Sequence, residues 1–412
     1  MAGGPIELRI DHQCPQCGAP AVLEESDRLY HCPYCKVQSY LLPRDVHRYL
    51  LPDKAPQGQA LTYVPYWRFK GIFFTCDSMG IRHRVADLSR CAVTADVFPA
   101  SLGLRSQAMH LRLVTPETRG RFLIPALGRR DAVRRLSQNA SFKGEERVFL
   151  QSQVGESLSL IYAPVYQTDG LYDAVLNRPL KDAGAPLDLD RFPGGQAEGR
   201  FRFVPAICPS CGWNLDGRRD SLVLICRNCD RVWQASRQGL AETRIAQVPA
   251  DGAPSIYLPF WRIRARVEGA ELASYGDLVR LANLPRVLQP DFEAMPFRFW
   301  FPAFKVRPST LLHLSRSLSL SQPLAAPVDR LPQGEMFPVN LPLSEAAANL
   351  RLVLAAFAKP PRQFYPKLPQ IRVNPQAMIL VYIPFSESVH EYLQNGLNLA
   401  VNKSQLALAG HL

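Results

Sequence analysis

Two stretches of the chain alternate apolar and basic side chains in the same order. Residues 63–73 read Tyr-Val-Pro-Tyr-Trp-Arg-Phe-Lys-Gly-Ile-Phe, and residues 257–267 read Tyr-Leu-Pro-Phe-Trp-Arg-Ile-Arg-Ala-Arg-Val, 194 positions later. A period of two predicts a strand with one buried face. In the second copy Trp261, Ile263, Ala265 and Val267 fall on the core face, and Arg262, Arg264 and Arg266 on the other. In the first copy Trp67, Phe69, Gly71 and Phe73 keep the core face, while the basic face thins to Arg68 and Lys70. Residues 377–384 form a strand-length apolar run. Helical spacing appears at 344–358. There Ser344 is placed to cap the first amides, Leu350, Val353, Leu354 and Phe357 share a face, and Pro360 and Pro361 end it.

Further echoes extend the repeat. Phe122–Ala126 resembles Phe299–Ala303, Ile161–Pro164 resembles Val381–Pro384, and Gly170–Val175 resembles Gly396–Val401. Each predicted strand carries one proline: Pro65, Pro125 and Pro164, then Pro259, Pro302 and Pro384. Proline lacks an amide donor, so these positions are expected at an edge, a strand start or a bulge. The second and third marked prolines are 39 residues apart in the first copy and 82 in the second. An insertion at about 315–366, containing the helix, is therefore expected in the second copy. The boundary between copies is expected at 179–199, where Gly194-Gly195 lies among Pro, Asp and Gly.

Ten cysteines occur, and eight form two matching sets, Cys14, Cys17, Cys32, Cys35 and Cys208, Cys211, Cys226, Cys229. Each set is a pair of Cys-x-x-Cys turns, again offset by 194 residues. A two-residue gap lets one tight turn aim two thiolates at a single ion, and two such turns supply a tetrahedral sulfur shell that suits zinc. Gly18 and Gly212 follow the first turns, where a left-handed backbone closes the loop. The segments 14–35 and 208–229 resemble zinc ribbons, small hairpin modules found in transcription factors and many other proteins. Rubredoxin-type iron sites share the sulfur geometry but resemble Cys-x-x-Cys-Gly at both turns, whereas Lys36 and Asp230 follow the second turns here. A shell closed by four cysteines leaves no position for water or substrate, so two structural Zn2+ ions are expected. Cys76 and Cys91 have no counterparts and read as small buried hydrophobes.

The fold expected is α+β and internally duplicated, two zinc-ribbon-plus-β-sheet modules. Ribbons are placed at 1–45 and 200–240, and β-rich α+β domains at 46–190 and 241–412. The 412 residues exceed one ordinary core, which fits two modules. Net charge is +12, carried by 39 arginines against 9 lysines. This permits an anionic partner without requiring one. The arginine row 262–266 and the cluster Arg129, Arg130, Arg134 and Arg135 have two readings. They are solvated faces, the second set facing Glu145 and Glu146, or they are phosphate contacts. The first ribbon is acidic (Glu24, Glu25, Asp27, against Arg28), and only the second, with Arg218, Arg219, Arg227 and Arg231, suits nucleic acid. The eight histidines are scattered, and no HExxH, GxSxG or phosphate-loop pattern appears. The N-terminal residues MAGGPIELRIDHQ lack an apolar signal core, and no 18-residue apolar run occurs. A cytoplasmic protein without a membrane span is therefore expected. The favoured role is a non-catalytic adaptor or scaffold with protein partners; the alternative is nucleic-acid binding through Arg218, Arg219, Arg262, Arg264, Arg266 and the 129–135 cluster.

Overall fold

The computed structural model describes residues 8–43, 45–140, 147–180, 188–196, 201–236, 239–250, 252–322 and 327–407. Helices and strands mix, as expected of an α+β chain. The chain forms two compact units. The first comprises Met1–Gly71, Ala86–Ser141 and Glu156–Ala206; the second comprises Ile72–Val85, Phe142–Gly155 and Ile207–Leu412. Glu145, Glu146 and the side chain of Arg130 lie outside the described residues.

The first unit opens with the hairpin β1 (Arg9–Gln13) and β2 (Pro20–Glu24), followed by the hairpin β3 (Leu29–His31) and β4 (Gln38–Pro43). β5 (His47–Leu50), β6 (Thr62–Asp77) and β7 (Gly80–Cys91) come next, Ile72–Asp77 of β6 and Gly80–Val85 of β7 being counted with the second unit, then helix α1 (Arg105–Ala108), β8 (His110–Leu113) and β9 (Arg121–Leu123). Helix α2 (Arg129–Ala140) precedes β10 (Val148–Gln167), whose Val148–Gly155 stretch is counted with the second unit, β11 (Leu171–Asp173), β12 (Arg178–Pro179) and β13 (Gly194–Gly195). The sheet order is β13-β9-β6-β10-β5-β8-β1-β2. β14 (Phe201–Pro205) pairs antiparallel with β4. It is thus a third strand beside β3 and β4 and belongs to the first unit, which runs to Ala206. β13 likewise pairs with β9, so part of the expected boundary segment is sheet. The core gathers Ile10, Tyr49, Val64, Tyr66, Leu111 and Ile161.

In the second unit β15 (Val223–Cys226), β16 (Arg231–Ser236) and β17 (Gly239–Glu242) form a three-stranded ribbon sheet. The larger sheet contains β18 (Ile245–Gln247), β19 (Ile256–Glu268), β20 (Phe299–Pro302), β21 (Arg372–Glu387), β22 (Glu391–Gln394) and β23 (Leu399–Asn402). β19 runs between β20 and β21, antiparallel to both. Helices α3 (Tyr275–Leu281), α4 (Pro290–Ala294) and α5 (Pro308–Ser321) are followed by α6 (Leu343–Ala348) and α7 (Leu350–Phe357). The single helix expected over 344–358 is two, broken at Asn349. That side chain donates to the carbonyls of Gln153 and Glu345, both at 2.8 Å, and accepts from Ser152 Oγ. A buried amide satisfied off the helix axis outweighs one intrahelical turn.

Pro65, Pro164, Pro259 and Pro384 lie inside the long strands β6, β10, β19 and β21, whereas Pro302 ends the edge strand β20 and Pro125 follows β9; the hydrogen bonds around Pro65 and Pro259 explain how an inner strand accommodates them. Before Pro259, Tyr257 bridges Met336 in parallel; after it, Trp261 pairs with Phe301 of the antiparallel β20. The neighbour therefore changes identity at the proline. The Ala303 amide donates to the Pro259 carbonyl at 3.0 Å, but the reciprocal bond is impossible because proline has no N–H. The Ala303 carbonyl turns instead to the amides of Asn340 and Leu341, both at 3.1 Å, and the Trp261 indole N–H donates to the Leu341 carbonyl at 2.9 Å. The first unit has the same circuit. Ala92 donates to the Pro65 carbonyl, the amides of Ala126 and Leu127 donate to the Ala92 carbonyl, and Trp67 donates to the Leu127 carbonyl at 2.7 Å.

This circuit corrects two of the three sequence echoes. Ala92, not Ala126, holds the place of Ala303, and Ala126 holds that of Asn340. Gly170–Val175 spans β11, whereas Gly396–Val401 spans β23, a different strand of its hairpin. The echo of Tyr162 in Tyr382 survives, since their carbonyls accept the amides of Leu51 and Val248 respectively. Counted from circuit to circuit, Ala92 to Leu127 is 35 residues and Ala303 to Leu341 is 38. The helical pair α6–α7 follows its circuit as α2 follows the first. Most added length lies earlier, between Pro259 and Ala303, where α3 and α4 stand. Short local matches misregister because proline and aromatic residues recur on every strand.

Candidate metal centres and their surroundings

Each Cys-x-x-Cys turn sits at a hairpin end. Cys14–Cys17 joins β1 to β2, Cys32–Cys35 joins β3 to β4, Cys208–Cys211 lies within the bridge of Ile207 to Asn214, and Cys226–Cys229 joins β15 to β16. The first cysteine of a turn accepts an amide four residues on: Gly18 to Cys14 at 2.9 Å, Lys36 to Cys32 at 3.1 Å, and Gly212 to Cys208 at 2.9 Å. All four turns close through a left-handed residue, with φ of 72° at Gly18, 61° at Lys36, 74° at Gly212 and 53° at Asp230. The second turns therefore adopt the glycine conformation without glycine, at the small cost that αL carries for other residues.

The four sulfurs of each set lie within 4.8 Å of one another, so each cluster could hold a metal ion. Sγ separations are 3.8 Å for Cys14–Cys35, 3.7 Å for Cys17–Cys32, 3.7 Å for Cys208–Cys229 and 3.4 Å for Cys211–Cys226. A tetrahedron with metal–sulfur bonds of about 2.3 Å has edges of about 3.8 Å, so the donor set fits. The same separations exceed a disulfide bond by more than an ångström. The thiols of each cluster shift in opposite directions, Cys35 and Cys229 being pushed up to about 12 while a neighbour in each set is drawn down. Burial opposes ionisation of Cys32, but the backbone amides of Cys35 and Tyr34 outweigh it and draw the thiol down to about 6. The Asn228 side chain and the Trp213 amide bring Cys211 to about 6 as well.

The basic faces separate on inspection. Arg68 is 1% exposed. Its Nη1 donates to both carboxylate oxygens of Glu25 at 2.6 Å, and its Nε and Nη2 donate to Asp87 at 2.8 Å. Burial works against that charge, yet the two carboxylates more than offset it and hold the pKa above the ordinary arginine value. Asp87 also accepts from Gln107. Glu25 lies between the cysteine pairs of the first ribbon, so the acidity read there serves an internal ion pair. The repeat phrase did not reveal this, because alternation shows which face a residue takes but not what covers it. The equivalent Arg262 is only half-buried, lies 5.8 Å over the Trp300 ring, and has its pKa lowered by burial and by Arg298. Arg264 and Arg266 are exposed, Arg266 beside Glu268 at 3.6 Å.

On the second ribbon Arg218 pairs with Glu335 at 3.2 Å, Arg227 with Asp216 at 3.8 Å and Arg231 with Glu242 at 3.2 Å. Arg134 on α2 pairs with Asp131 at 2.7 Å. Of the histidines beside the metal cysteines, His12 stacks on Phe203 at 4.7 Å, and His31 is an exposed strand residue. Cys76 is buried, and burial with Asp77 beside it pushes its thiol up to about 12; Cys91 is half-buried and also raised by burial. Neither is activated as a nucleophile. No helix among the described residues is long and apolar enough to cross a membrane. Compared with protein-family models, with curated proteins and with solved structures, the chain matches none.

Proposed function

We propose that this chain is a non-catalytic adaptor or scaffold subunit, internally duplicated and built on two structural zinc ribbons that present rigid docking points to protein partners. Cys14, Cys17, Cys32 and Cys35 would hold one Zn2+, and Cys208, Cys211, Cys226 and Cys229 the other. Each ion would cross-link two hairpin ends too small to build a core of their own. Thiols kept for metal suit a reducing compartment, which in this reading is the cytoplasm.

The observation that carries the docking role is Trp213. Its backbone is fixed by the turn, since its carbonyl accepts the Cys208 amide at 2.7 Å, while the residue stays 60% exposed. Tyr34, inside the second turn of the other ribbon, is 65% exposed. A rigid exposed aromatic is the side chain that most often anchors a protein interface, because its area is buried at little entropic cost. The nucleic-acid alternative is weakened by the carboxylates that already accompany Arg218, Arg227, Arg231 and Arg134.

The test is purification of the full chain from its native host, with Trp213→Ala and Tyr34→Ala compared against wild type. A partner at fixed stoichiometry, lost in either variant at unchanged metal content, is expected. A chain that purifies alone, or a partner retained by both variants, would refute the docking role.

A further inference from the structure

The first unit contains an open cleft of about 680 Å3, within the range of small-molecule sites. Arg90 at the end of β7, Arg105 at the start of α1, Arg135 on α2 and Arg178 at the start of β12 all border it. Four arginines from four separate elements thus line one space, which the segment from Cys91 to Ala100 also borders, its ends joined by the Cys91 amide donating to the Ala100 carbonyl at 2.9 Å. Two carboxylates also line it, and one is committed elsewhere. Asp173 is buried; it binds Arg105 through Oδ2 and caps the amides of Val175 and Leu176 through Oδ1. Arg90, Arg135 and Arg178 form no ion pair with a carboxylate among the described residues. Three guanidinium groups against Asp96 leave the cleft with an excess of two positive charges.

A concave surface with that excess concentrates anions, and guanidinium forks match phosphate oxygens in pairs. A phosphomonoester carries about −1.5 to −2 charge near neutral pH, which balances the excess. Val93, Phe98 and Leu180 supply an apolar wall beside the arginines. We propose that this cleft is a binding site for a small organic phosphomonoester, with the phosphate held by Arg90, Arg135 and Arg178 and the organic body resting against Val93, Phe98 and Leu180. This site goes beyond the docking role and does not depend on it, since the ribbon aromatics take no part.

Isothermal titration of the metal-loaded full chain with phenyl phosphate, inorganic phosphate and phenol tests the assignment. Phenyl phosphate is expected to bind saturably, with a dissociation constant of about 1 mM or tighter. Inorganic phosphate should bind several-fold more weakly and phenol not measurably. The variant Arg135→Gln/Arg178→Gln, in which both replaced residues are exposed, should bind phenyl phosphate roughly tenfold or more weakly at an unchanged circular dichroism spectrum. No saturable binding of phenyl phosphate, or binding untouched in the double variant, would overturn the site. Equal affinity for inorganic phosphate would overturn the organic ligand, and equal affinity for phenol would overturn the anion.

Discussion

Replacing Arg68 with methionine removes a buried positive charge hydrogen-bonded to two carboxylates, and its cost can be estimated from their surroundings. Glu25 is 4% exposed and would lose both short bonds from Nη1. Asp87 is 22% exposed and keeps its bond from Gln107, so it recovers part of its loss. Breaking a buried ion pair by removing one partner typically costs about 3–5 kcal/mol, and the Glu25 side of the pair dominates that figure here. Urea unfolding followed by circular dichroism reads it out. At a slope of about 2–3 kcal/mol per molar, the midpoint of the affected transition should fall by about 1–2 M. Arg68→Met/Glu25→Leu should recover much of the loss, since a buried pair exchanged for apolar groups is often near neutral. Arg262→Met, at the matching position of the repeat, should cost about 1 kcal/mol or less, because Arg262 is half-buried and is held chiefly by Trp300. A loss below about 1 kcal/mol for Arg68→Met, or equal losses at the two positions, would refute the reasoning.

Two further outcomes are expected. Cys211→Ser should lower metal content from two ions to one per chain by atomic absorption and destabilise the second unit, while leaving the first ribbon loaded; full occupancy in the variant would refute the ligand assignment. His47, whose Nε2 is enclosed without a hydrogen-bond partner, has its pKa pushed down to about 3 by burial and by Arg28. The unfolded chain, titrating near 6.5, therefore binds a proton that the fold refuses, so stability falls as pH drops below that value. Between about pH 7.5 and pH 5.5 this group should account for about 1.4 kcal/mol, and His47→Phe should remove that share of the acid dependence measured by urea unfolding.

The sequence by itself determined the two cysteine sets, the strands that carry the Tyr-x-Pro-x-Trp-Arg phrase, and the repeat offset between them. These are local signals: two-residue spacing aims sulfurs, and a period of two assigns faces. It could not register the rest of the repeat, because Pro125 and Pro302 look alike in sequence and differ only in which carbonyl their neighbours serve. Nor did it show why proline is tolerated in a central strand, since the missing donor is harmless only where a neighbouring strand gives way there. Tertiary structure alone decided the fate of the arginines. Arg68 and Arg262 occupy the same place in the same phrase, yet one is enclosed by Glu25 and Asp87 and the other lies half-open over Trp300. The arginines of the cleft come from Arg90 to Arg178 along the chain, and only folding places them around one space. A charge is worth what surrounds it, and what surrounds it is set by contacts far away in sequence.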